Sequence, residues 1–169
     1  TGIAGAGYPK AVRAYGAILH YLKENEMTNP QKVITHGGSG GSFQIAYGLS
    51  RFDLEKDIQH AILVAGPPTA DLQKGIFGDK NGEAYWPDGL GGFRITDFIH
   101  GWDGKGNYCQ NRNQTPPQFV IDALDESSLL STRIPPKLDY STQLIFINTN
   151  DVTNADGQGR LFFDLVKSK

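Results

Sequence analysis

Residues 32–53 change character twice within a few positions. Lys32-Val33-Ile34-Thr35-His36 is short and β-branched, the pattern of a strand buried on both faces, as in a parallel sheet. It runs directly into Gly37-Gly38-Ser39-Gly40-Gly41. Phe43, Ala46, Tyr47 and Ser50 then fall at helical spacing, and Arg51-Phe52-Asp53 closes that helix. A chain that passes from buried strand to helix through five small residues must turn sharply at the end of a sheet. That requirement already favours alternating α/β architecture over an all-helical or all-β one.

The flanking sequence continues the alternation. Tyr8-Pro9 opens a helix, because proline suits a first turn where its missing N–H is no loss. Val12, Tyr15, Ile18, Leu19 and Leu22 form one apolar stripe, which predicts a helix from about residue 9 to 25. Ala61-Ile62-Leu63-Val64-Ala65 reads as a second buried strand, stopped by Gly66-Pro67-Pro68. Gln143-Leu144-Ile145-Phe146-Ile147 reads as a third, ending in Asn148-Thr149-Asn150-Asp151. Leu161, Phe162, Leu165 and Val166 then recur at helical spacing. Between them, residues 69–140 are rich in Gly, Pro and aromatics, with weak helical character only at Phe119–Leu130. The chain divides into 1–68, a long insertion at 69–140, and 141–169. The fold class expected is α/β, a parallel central sheet flanked by helices.

Composition narrows the function. At 169 residues the chain is about one domain. Sixteen basic residues stand against 18 acidic ones, for a net charge of -2, which argues against a phosphate-neutralising surface and so against nucleic acid as the main partner. No apolar run approaches the ~18 residues of a membrane span. The single cysteine, Cys109, excludes an internal disulfide framework. Asn113-Gln114-Thr115 is a glycosylation sequon, a tripeptide that also arises by chance, and it tilts the setting only slightly towards secretion.

Gly37-Gly38-Ser39-Gly40-Gly41 fits G-x-S-x-G. By itself the pattern is weak, since a Gly/Ser stretch also makes a plain turn or linker. Placed between a strand and a helix, it reads as a nucleophile elbow, in which the serine takes a strained conformation and small neighbours let the chain turn, with a plain structural turn as the alternative. Other glycine-loop chemistry fails on detail. A P-loop needs Gly-Lys-Ser/Thr, and Gly41 is followed by Ser42-Phe43. A dinucleotide fingerprint starting at Gly38 needs glycine where Phe43 stands.

A serine nucleophile needs a base, and the base an orienting acid. Asp151, just past the third strand, is the expected acid. Asp156 and Asp71 are substitutes, and the competing reading of Asp151 is a turn aspartate in a stretch of turn formers. No histidine follows Asp151. His20 lies in the first helix, His36 ends the strand before the elbow, His60 precedes a strand at the opposite edge, and His100 lies in the insertion. The simplest account puts the base beyond Lys169. The N–H of Gly40 is expected as one oxyanion donor, and the other upstream of Thr1. The chain thus reads as a fragment or a processed chain, expected to be inactive in isolation and active only in the parent protein.

These residues resemble the α/β-hydrolase superfamily. Val33 to Pro68 looks like the nucleophile strand, elbow, following helix and next strand of a secreted esterase-like hydrolase. Leu144 to Val166 is similar to the acid-bearing strand and its helix. The resemblance implies a partial hydrolase fold, with 69–140 as a cap or lid. It implies a serine hydrolase acting on small carboxylic esters or amides, without cofactor or metal, with Ser39 as nucleophile, Asp151 as acid and Gly40 at the oxyanion hole. The alternatives are a catalytically inactive hydrolase-fold binding module or fragment, and a metal-binding loop at Asn148, Asn150, Asp151, Asn154 and Asp156. The metal loop fails as a calcium loop, because Gly157 in sixth position would make Val152 and Phe163 ligands. Cys109 has no catalytic pattern beside it. Trp86, Phe93, Phe98, Trp102 and Tyr108 read as packing residues of the insertion. Glu55, Lys56 and Asp57 read as a solvated turn.

Overall fold

A computed structural model describes residues 9–29, 33–67, 70–78, 115, 117–130, 133–147 and 155–167. Helix α1 (Pro9–Glu24) starts at its proline, as the sequence predicts. Strand β1 (Ile34–Gly38) leads into α2 (Gly40–Arg51), and β2 (His60–Val64) follows after a 3₁₀ turn at Leu54–Lys56. Two short helices, α3 (Leu72–Phe77) and α4 (Gln118–Ser127), precede β3 (Gln143–Ile147). A π-helical turn at Ala155–Gly159 then runs into α5 (Arg160–Lys167). Among the described residues the strands form one parallel sheet in the order β1-β2-β3. The fold class is therefore α/β at this level.

The register aligns Gly37, Leu63 and Phe146 on one face. That face is covered. Helix α2 packs on β1 and β2 and brings in Phe43, Ala46 and Leu49, all fully buried. Helix α1 packs on α2. Phe146 meets the rings of Phe162 and Phe163 on α5, with centroids 5.9 and 5.0 Å apart. Leu54 plugs the seam between α1 and α2. A Cβ added at Gly16 would lie 2.9 Å from Leu54 Cδ2, and one at Gly48 would overlap Leu54 Cδ1.

The opposite face departs from expectation. The β-branched run predicts β1 buried on both sides, yet its burial alternates, and Ile34 is 61% exposed. Ile145 and Ile147 on β3 share that face and are 44% and 47% exposed. The described helices that touch the sheet do so from the other side, so a hydrophobic run that looks continuous behaves as a one-sided strand.

Two further readings need correction. The strand does not end at His36 but continues through Gly37 and Gly38, and the second strand runs from His60 to Val64 rather than to Ala65. The charges after α2 are not simply solvated. Asp57 pairs with Lys23 of α1 at 2.7 Å, both side chains mostly buried, and Glu55 pairs with Lys137. They fasten the 3₁₀ turn to two distant segments.

The described parts of 69–140 are anchored at the far end of α2. Tyr47 donates its hydroxyl to Glu126 O at 2.7 Å, and Arg51 donates to Leu129 O at 3.1 Å. Ser50 bonds the Tyr140 hydroxyl. Helices α3 and α4 pack on each other, and Leu130 N–H reaches Ala70 O at 2.8 Å. Leu129 enters the main core.

Candidate active site

The corner between β1 and α2 is built around Ser39. Its backbone sits at φ 47°, ψ -115°, a conformation that non-glycine residues rarely adopt. The residue is exposed. Its N–H donates to Val64 O at 2.8 Å, which fastens the corner to the end of β2. Its hydroxyl makes no capping bond to the helix it precedes. A serine before a helix ordinarily satisfies a helix N–H with its side chain. Here the hydroxyl makes no such bond.

The flanking glycines are not equivalent. A Cβ at Gly37 would lie 2.5, 2.6 and 2.7 Å from the backbone of Gly41 and Ser42, so the chain closes on itself at that point. A Cβ at Gly38 or Gly41 would meet nothing within 4 Å. Only Gly37 of these three is demanded by contact, whereas the sequence suggests that all the surrounding glycines serve the turn.

Gly40 opens α2, and the N–H groups of a helix's first turn have no partner within the helix. The first intrahelical bond runs from Phe43 N to Ser39 O, at 3.2 Å. The Gly40 N–H therefore lies immediately beside the serine, at the positive end of a 12-residue helix.

The neighbouring strand end is also strained. Ala65 has φ 50°, and its N–H donates to Ile147 O at 2.9 Å. Strained backbone gathers at functional sites because ordinary packing would relax it. The same edge holds a cavity of about 270 Å³, lined by Gly66, Phe146, Ile147, Arg160, Phe163 and Asp164.

The remaining sequence candidates are placed unequally. Asp71 is a helix cap. Its carboxylate accepts Lys74 N–H at 2.8 Å, and its own N–H donates to the buried Gln158 side chain at 2.6 Å. Burial pushes the Asp71 carboxyl above its ordinary pKa, against the opposing pull of the Lys74 N–H. His20 is exposed on α1 and pairs with Glu24 at 3.0 Å. His60 starts β2, so it lies at the edge away from Ser39. His36 lies within β1, three residues or about 10 Å back along the strand. None of these three joins Ser39. Asp151, His100, Cys109, the insertion aromatics Trp86, Phe93, Phe98, Trp102 and Tyr108, and the proposed metal-loop residues Asn148, Asn150 and Asn154 lie outside the described residues. The Asp156 backbone belongs to the π-helical turn, and its side chain also lies outside them. Among the described residues no group of three or more acidic, histidine or cysteine side chains could hold a metal, and no helix is long and apolar enough to cross a membrane.

Sequence reasoning anticipated the strained backbone of Ser39 but missed the positive φ of Ala65, since no local signal marks an alanine for it. It also missed Ser42, whose buried hydroxyl donates to Ser39 O at 2.5 Å. No family model, curated protein or solved structure matches the chain.

Proposed function

We propose that the chain carries the nucleophile of a serine hydrolase of the α/β-hydrolase type, acting on small carboxylic esters or amides. The observation that carries this reading is Ser39 at φ 47°, ψ -115° on a strand-to-helix corner, exposed and uncommitted as a cap. Holding a serine in a costly conformation gives no structural return unless the hydroxyl is used.

In this mechanism Ser39 Oγ attacks the substrate carbonyl carbon as its proton passes to a histidine base supplied from outside the described residues. Gly40 N–H, with the dipole of α2 behind it, stabilises the negative charge on the carbonyl oxygen. The tetrahedral intermediate collapses, the base protonates the departing alcohol or amine, and an acyl group stays on Ser39. Water, deprotonated by the same base, then breaks the acyl–oxygen bond and restores the serine. Asp151 is the proposed acid that orients the base.

Reaction with a fluorophosphonate probe, located by peptide mass spectrometry, tests the reading. Label on Ser39, lost in Ser39→Ala, is the expected result. Tested in the parent protein that supplies the histidine base, a folded protein with no labelled serine, or full labelling of Ser39→Ala, would refute Ser39 as nucleophile and favour a non-catalytic binding role.

A further inference from the structure

The carbonyl of Ser39 is held twice. Phe43 N–H donates to it at 3.2 Å, and Ser42 Oγ donates to it at 2.5 Å. Ser42 is fully buried within the first turn of α2, so its hydroxyl is locked in place by packing. The first turn of a helix frays, and the backbone bond to Phe43 is the weaker of the two by length.

The Ser39 carbonyl and the Gly40 N–H belong to one peptide group. That group is planar and trans, so its oxygen and its hydrogen point in opposite directions. Fixing the direction of one fixes the direction of the other. A side chain that grips the oxygen from inside the fold thereby aims the hydrogen outwards, on the side where the serine hydroxyl is exposed.

We propose that Ser42 is a positioning residue for the oxyanion donor, acting through the Ser39 carbonyl to hold the Gly40 N–H in its working direction. This rests on the acyl-transfer reading above. Ser42 does not touch the reacting atoms. Its contribution appears when charge develops on the substrate oxygen, because a donor free to swing loses most of its value at that moment.

The test compares the parent protein that supplies the histidine base with its Ser42→Ala and Ser42→Thr variants, using fluorophosphonate labelling and hydrolysis of p-nitrophenyl acetate. Ser42→Ala is expected to lower kcat about tenfold, less than the roughly hundred- to thousandfold loss of a whole donor. KM is expected to stay within about twofold, the mark of an interaction made in the transition state. Ser42→Thr keeps the hydroxyl and is expected to stay within about threefold of wild type in kcat. If circular dichroism shows the alanine variant unfolded, Ser42→Cys, close in size but a poor donor, takes its place with the same expected loss. Equal rates in all variants, or equal losses with and without the hydroxyl, overturn the positioning role and leave the acyl-transfer reading standing. A wild-type parent protein, histidine base included, that neither labels at Ser39 nor hydrolyses the ester overturns both.

Discussion

Replacing Gly37 by alanine asks whether the elbow is closed by contact between backbones. The added Cβ would lie 2.5 Å from the Gly41 carbonyl carbon, 2.6 Å from its oxygen and 2.7 Å from Ser42 N. Carbon contacts are comfortable from about 3.5 Å, so three atoms would be crowded by about 1 Å. Overpacking in a core costs roughly 1–3 kcal/mol when side chains can adjust. Here the neighbours are backbone atoms in the first turn of α2, so the cost falls at the top of that range, about 3 kcal/mol. With a urea m-value of about 2 kcal/mol/M, the unfolding midpoint drops by about 1.5 M. Gly38→Ala is the control. It makes the same chemical change one residue later, where the Cβ meets nothing within 4 Å, and its midpoint should fall by less than about 0.5 M. Urea titration followed by circular dichroism gives both values, and fluorophosphonate labelling in native buffer reports the elbow itself. Equal midpoints for the two variants, or wild-type labelling of Gly37→Ala, would refute the steric argument.

Ser39→Gly should relieve the strain at φ 47° and raise the thermal midpoint by about 2–4 °C, the effect of about 1 kcal/mol in a chain of this size, while labelling disappears. A midpoint at or below wild type in calorimetry would count against stored strain. Leu54→Ala empties the notch between Gly16 and Gly48 and should cost about 3 kcal/mol, whereas combining it with Gly48→Ala should cost less than the sum of the two single changes. Strict additivity in urea titrations would deny the contact. Burial raises the Asp71 pKa in the folded chain above its unfolded value of 3.8, so folding binds that proton more tightly. The associated stability is fully present below the unfolded value and is lost as pH rises through the folded one. Asp71→Asn, which keeps an acceptor for Lys74 N–H, should therefore gain stability over wild type at pH 7 and lose that advantage in acid below the unfolded value. Urea midpoints that differ by the same amount at both pH values would contradict this.

The legible parts of the fold were those with strong local signals. Pro9 and its apolar stripe located α1 to within a residue of its observed end, and Gln143–Ile147 coincides with β3. The Gly37–Gly41 stretch located the corner, because few residue types tolerate that turn. What escaped was set by contacts distant in sequence. Helix α3 is only six residues long and is held by its Asp71 cap and by α4, so its own sequence carried little helical signal. The exposed side of the sheet could not be read from β1, since Ile34 and Thr35 are equally β-branched although one is exposed and the other buried. The role of Ser42 depends on the direction of one peptide group, which residue type does not encode.

The middle strand of the sheet acts as a gauge. One side of its upper end is tied to Ser39 through Val64 O, and the other to Ile147 through Ala65 N–H. Adjacent strands lie about 4.8 Å apart, so the chain leaving β3 starts about 10 Å from the serine backbone. Two strand spacings thus set the backbone separation from which any side chain on the exit of β3 must reach the serine, and the bonds on either side of β2 keep that separation fixed.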